Sequence, residues 1–272
     1  SNDNVSTRTI KIIPSAFPWH CVSPSNAFVA SRNMETNSVY GWGTSGNGID
    51  THLMKNSEWG AVLYLSKSIY GKNSEEIAIN YNVYTGCANA SLNLTYEMTM
   101  NGLANCAYAY NTSYGVRAST TGNVYGVYDM SSYYTEVVAA HIDGSSPNYR
   151  PADSVKAIIE APAKYKDVYM VDPNTSSGID YEYSNFLKFA NYKGDALYET
   201  GYKPFGLEDG YTWFGGALRV PYMTMVVFTR GGYSFLSNSG TAPIDSPFSV
   251  GNDLGYYGYS AFRTVLMVGE VL

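Results

Sequence analysis

Glutamine is absent from this 272-residue chain, histidine and cysteine occur only three times each, and charged residues make up just 15% of it. Each scarcity narrows the chemistry. His20, His52 and His141 are too far apart in sequence to form a metal-binding pair of the H-x-x-x-H kind. No Asp-x-Asp-x-Asp run offers calcium a loop. No basic cluster exists, and 17 basic against 23 acidic residues give a net charge of -6, so a phosphate backbone has nothing to bind to. No uninterrupted apolar run reaches the length needed to cross a bilayer. The Gly-rich stretch at 41–48 lacks the lysine and the strand–helix frame of a phosphate loop and reads as a turn. The carboxylate pairs Glu75-Glu76 and Glu208-Asp209 read as solvated loop residues. His20 and Cys21 are neighbours, but adjacent residues on a strand face opposite ways, so no thiol–imidazole dyad is expected from them.

Tyrosine, in contrast, is abundant, with 27 residues. It supplies a large rigid contact surface with one polar tip, at little entropic cost, and suits adaptable binding faces. The bland counterpart is that tyrosine is also a good strand residue. The odd cysteine count leaves at least one thiol over. In an exported protein, Cys87 and Cys106, both in small-residue surroundings, are expected to form a disulfide, with Cys21 free and buried. The opening Ser1-Asn2 is expected to be a tag remnant, the domain running over 3–272.

The pattern predicts a helix over 59–68, with Asp50, Thr51, His52 and Leu53 as its entry turn, and a shorter one over 184–191. Strands are expected at 9–13, 217–220, 224–229 and 262–268, with long irregular stretches at 71–121 and 140–180. No linker or repeat divides the chain. The expected architecture is a single α+β domain with short strands, few helices and long loops.

Five pieces follow one another along the chain: Trp59-Gly60-Ala61-Val62, then Thr121-Gly122-Asn123-Val124-Tyr125-Gly126-Val127-Tyr128-Asp129-Met130, then Gly194-Asp195-Ala196-Leu197-Tyr198-Glu199-Thr200, then Arg230-Gly231-Gly232-Tyr233, and finally Ala261-Phe262-Arg263-Thr264-Val265-Leu266. In this order they resemble the formylglycine-generating-enzyme-like branch of the C-type lectin fold. Closer still is the resemblance to variable proteins of diversity-generating retroelements and to prepilin-like bacterial surface proteins on that fold. The resemblance implies a C-type-lectin-like domain displayed outside the cell, on a bacterial surface or a phage particle. The catalytic branch needs two late cysteines to bind copper. Here none follows Cys106, and the usual Trp after Asp129-Met130 is missing, so an enzyme of that kind is not expected.

Arg230 and Arg263 stand in apolar text, where a guanidinium usually forks onto a buried partner, and Asp129 is the expected one. Paired glycines at 231 and 232 permit a sharp turn. With Phe262, these residues are expected to be structural. The window 226–266 contains no Lys, Glu, Gln, Trp or Met, although those types supply about one residue in eight of the whole chain. Chance gives such a gap in under about one case in a hundred. These five are the types that an AAY-to-NNY diversifying codon cannot encode. A candidate variable region, 230–263, is thereby defined, with Tyr233, Phe235, Leu236, Asn238, Asp253, Tyr256, Tyr257 and Tyr259 as expected ligand contacts. The expected function is non-catalytic binding of a protein or glycan ligand, with no metal, cofactor, nucleic acid or membrane span. The alternative is a structural subunit of a pilus or phage tail fibre, its partners being neighbouring subunits.

Overall fold

A computed structural model of the protein describes residues 8–42, 48–73, 75, 77–88, 106, 108–143, 153–170, 194–197, 226–231 and 260–269. The described part is a mixed α+β structure organised on one buried strand. Strand β4 (Thr135–Asp143) is buried along its length except at Asp143. Such a strand, covered on both faces, reads as a near-continuous apolar run, and Val137 to Ala140 fits that rule. Along one edge β4 pairs antiparallel with β6 (Val227–Arg230), with a register shift between Val137 and His141. Its other edge is shared by two parallel partners. One is β7 (Ser260–Phe262), beside Thr135 to Val137, and the other is β5 (Asp167–Met170), beside Ala140 to Asp143.

A second, two-stranded sheet joins β1 (Ile49–Leu53) antiparallel to β8 (Thr264–Val268). Backbone bonds tie it to the first sheet, with Met54 N–H donating to Arg263 O at 2.9 Å and Ala139 N–H to Met54 O at 2.9 Å. The short pair β2 (Cys87–Ala88) and β3 (Tyr108–Ala109) lies apart.

Helix α1 (Pro24–Asn33) begins as its sequence dictates. Ser23 Oγ accepts from Asn26 N–H at 3.3 Å, and Pro24 occupies the first turn, where no amide is needed. Helix α2 (Asn56–Lys67) starts at Lys55, whose N–H donates to Glu58 Oε2 at 2.9 Å. Asp167 of β5 accepts from the Ser57 amide and hydroxyl at 2.7 and 3.1 Å, placing a carboxylate at the positive end of the helix. A single-turn helix α3 (Lys156–Ile159) packs near α1. Trp59, Leu53, Leu63, Met130, Ile142, Ile158 and Phe228, all fully buried, form the shared core.

Three sequence expectations change. The helix begins three residues earlier than predicted, and Asp50 to Leu53 form strand β1 rather than an entry turn. Residues 9–13 form no strand; Ile12 is 99% exposed and has nothing to pair with among the described residues. The irregular stretch expected at 140–180 holds the end of β4, then α3 and β5. Of the other predicted elements, the strand at 224–229 is β6, shifted to Val227–Arg230, and the strand at 262–268 is divided into β7 and β8. The helix at 184–191 and the strand at 217–220 lie outside the described residues.

Candidate functional site

The frame of the candidate recognition segment is set by β6 and β7. Both flank β4 at the same level: Glu136 is paired with Arg230 on one side and with Ala261 on the other. Since neighbouring strands lie about 4.8 Å apart, the chain leaves and re-enters the sheet at points roughly 10 Å from each other. Both points are held firmly. Ser132 N–H donates to Gly231 O at 2.9 Å, and the Thr135 and Ser260 hydroxyls meet at 3.2 Å. Gly231 has φ +87, and a Cβ there would stand 3.2 Å from Met130 O, so the turn out of β6 needs glycine.

Both arginines are engaged by partners within the fold. Arg230 is fully buried, with its guanidinium 4.1 Å from the Trp59 ring centroid and Nη2 donating to Ala196 O at 3.2 Å. Residues 194–197 in turn press on α2 so closely that a Cβ on Gly60 would come 2.5 Å from Asp195 O. Three of the motifs quoted above thus meet at one place. Arg263 forks onto a carboxylate, but Asp129 is not the one. Its Nε and Nη2 donate to Glu136 at 3.0 and 2.6 Å, and Nη2 also reaches Tyr128 O at 3.0 Å. Asp129, held at φ +63, accepts instead from Asn80 Nδ2 at 2.8 Å and from Gly86 N–H at 2.9 Å. Burial raises the Asp129 pKa, against the pull of these bonds and of the Arg263 charge. Burial likewise raises that of Glu136, opposed by Arg263. Phe262 packs edge-on against Trp19 at 5.4 Å.

Tyr233, Phe235, Leu236, Asn238, Asp253, Tyr256, Tyr257, Tyr259 and Gly232 lie outside the described residues. Cys87 and Cys106 are joined as a disulfide, while Cys21 is a free thiol, half-buried rather than buried. The expectation about His20 and Cys21 is overturned: His20 Nδ1 stands 3.0 Å from Cys21 Sγ. The reason is local, since Cys21 adopts φ +58 in a segment that is not a strand, and the face-alternation argument does not apply.

Sequence reasoning also missed a polar cluster around His52. This ring, 2% exposed, bonds Asp50 Oδ1 through Nδ1 at 3.0 Å and Glu58 Oε1 through Nε2 at 2.9 Å. Arg32 and Lys164 both ion-pair with Asp50. Burial disfavours a charged imidazole, yet the two carboxylate contacts outweigh it and raise the His52 pKa. Asp50 and Glu58 are lowered in spite of burial, by Lys164 and His52 for Asp50 and by His52 and the Lys55 amide for Glu58. The signs follow by linkage. The His52 contribution is complete below the ordinary imidazole value of about 6.5 and is lost as pH rises through the raised folded value. The carboxylate contributions are present above about pH 4 and are lost as pH falls through their lowered values. Buried His141, whose pKa burial lowers, acts in the opposite sense to His52, so the test is a difference curve. His52→Gln is expected to cost about 1.5–3 kcal/mol near pH 5.5 and progressively less as pH rises through the raised folded value. Denaturant melts of both proteins across that range check it; parallel curves would rule out a charged His52.

Among the described residues no helix is long and apolar enough to cross a membrane, and no group of three or more His, Cys, Asp and Glu side chains is placed to hold a metal. Compared with protein-family models and with curated proteins, the chain matches none.

Proposed function

We propose that the protein is a non-catalytic, surface-displayed binding domain of C-type-lectin-like architecture, whose recognition face is built by residues 232–259. The observation carrying this reading is the composition of that segment: no Lys, Glu, Gln, Trp or Met, with Tyr, Ser, Asn and Gly in their place. Depletion at the two ends of the wider window has a simpler cause, because residues 226–231 and 260–261 are buried strand or turn. Burial of the described residues does not account for 232–259, and a stretch that long free of the five types arises by chance in roughly two cases in a hundred. The fixed anchors on either side of Glu136 support the reading, since a scaffold that keeps both ends in place tolerates substitution between them.

The test is a screen of the purified domain against glycan arrays and cell-surface proteins, followed by Tyr233→Ala, Tyr256→Ala and Tyr257→Ala. An anchor tyrosine is worth about 2 kcal/mol, so each variant should weaken binding by roughly 30-fold with an unchanged melting temperature. Variants that bind as the parent does would remove the recognition face. A chain that assembles with itself through these tyrosines, and binds no other partner, would instead identify a fibre or pilus subunit.

A further inference from the structure

A cleft of about 490 Å³ opens at the other end of the sequence, lined by Arg8, Lys11, Phe17, Trp19 and His20 among others. Its size falls in the range of small-molecule sites. Its chemistry runs against the rest of the molecule. In a chain of net charge -6, the described lining carries a guanidinium, an ammonium and an imidazole, and no carboxylate.

The walls are built rather than draped. Each aromatic lining residue is backed by a ring from elsewhere: Trp19 by Phe262 at 5.4 Å, Phe17 by Tyr84 at 4.6 Å, and His20 by Tyr134 in a stack at 4.8 Å. The backbone beneath is tied down as well. Tyr40 OH donates to Ile10 O at 2.9 Å and Thr85 Oγ1 to Ile13 O at 2.6 Å. The Ser15 amide donates to Thr85 O at 2.8 Å, and the Thr85 amide to Ala16 O at 2.9 Å. Without a helix or strand of its own, the segment is nonetheless fixed by four long-range bonds. A pocket ordered in advance loses little entropy when it is filled.

We propose that this cleft binds a small ring-bearing carboxylate, the chemistry shared by acidic sugars and aromatic acids. The Arg8 guanidinium, 5.7 Å from the Trp19 ring centroid, brings a planar cation beside a flat apolar face. A guanidinium fork matches the two oxygens of a carboxylate, and Lys11 adds charge at the rim. The indole and the Phe17 ring, itself 59% exposed, offer faces on which a ligand ring can lie. Phosphate satisfies the cations but leaves those faces bare, and a neutral sugar does the reverse. The residues named for this site are all outside 232–259 in the sequence, and their substitutions are read separately from those of the recognition face.

Titration calorimetry and ligand-observed NMR on the full chain test this, with glucuronate, N-acetylneuraminate and benzoate set against glucose, acetate and inorganic phosphate. At least one ring carboxylate is expected to bind with a dissociation constant on the order of 1 mM, at least tenfold tighter than the three controls. Which of them leads identifies an acidic sugar or an aromatic acid as the source. Arg8 and Lys11 are exposed, so Arg8→Ala and Lys11→Ala should fold normally and weaken binding by roughly tenfold or more. Three results would overturn the proposal: no ring carboxylate bound at roughly 10 mM, phosphate bound equally well, or affinity unchanged in both variants. Loss of carboxylate binding in Tyr233→Ala or Tyr256→Ala, with Arg8→Ala unaffected, would assign the ligand to the other face and also overturn it.

Discussion

Replacing Arg263 by methionine is expected to destabilise the protein by about 3 kcal/mol or more, at the lower end of what breaking a buried ion pair costs. The side chain of Glu136 is 9% exposed and that of Arg263 is 23% exposed, so the pair is mostly but not wholly removed from water. The fork carries two bonds to Glu136 and one to Tyr128 O, and all three are lost together. Most of the cost comes from the carboxylate left behind. Two checks separate that cause from simple loss of packing. The double variant Arg263→Met, Glu136→Leu should recover most of the stability, because no charge remains stranded. The single variant should also suffer less at pH 5 than at pH 8. Burial already raises the Glu136 pKa, and without Arg263 to oppose it the group takes up a proton more readily. A carboxyl whose folded pKa lies above its unfolded one penalises the folded state increasingly as pH rises from the unfolded value toward the folded one. Equal penalties at both pH values, with no recovery in the double variant, would mean that the guanidinium acts only as filler.

The same fork shows how far the sequence could be read. An arginine in apolar text announces a buried partner, and that rule served for Arg230 and Arg263. Applied to carboxylates, it would have singled out Glu136 in the run Thr135-Glu136-Val137-Val138-Ala139-Ala140. Asp129 was the more visible choice because it stands in a motif, but its left-handed backbone turns the carboxylate toward Asn80 and Gly86. Long-range pairing of this sort is set by topology, which local spacing does not encode.

Elements backed by strong local signals were legible. The Trp59 helix, the β6 strand and the strands near the C-terminus appear close to their predicted places, with shifted ends. Helix α1 was missed although Ser23-Pro24 is a good start signal, because its buried side chains include small or polar Ala27, Ala30 and Ser31 beside the single large Phe28. Strand β1 was misread because Asp50, Thr51 and His52 look like capping residues. They are strand residues because Arg32, Lys164 and Glu58 partner their polar groups from other elements. Residues 9–13 show the opposite error. Their β-branched pattern is real, but a strand exists only where another strand accepts its bonds.

Removing the disulfide between Cys87 and Cys106 is expected to cost roughly 3 kcal/mol, the loop-closure entropy for a 19-residue separation. The cost falls mainly on the unfolded chain, which gains freedom when the loop opens. Cys87 is fully buried and sits in β2, paired with Ala109 of β3, so this sheet of two short strands depends on the cross-link for its closure. A two-stranded pair this short is marginal by itself. Asp129 accepts the amide of Gly86, next to Cys87, and therefore ties the same turn to the segment that precedes β4 in the chain. The Cys87→Ala, Cys106→Ala variant should consequently lose stability without losing β4 or its partners, with the slope of denaturant melts reporting a more open unfolded state. Reductant should lower the stability of the parent by a similar amount and leave that variant unaffected. Thiol titration in denaturant without reductant should give one thiol per chain, Cys21, and none in Cys21→Ser. Three thiols per chain in freshly purified protein, or a reductant effect that persists in the variant, would show that the bond does not form in solution.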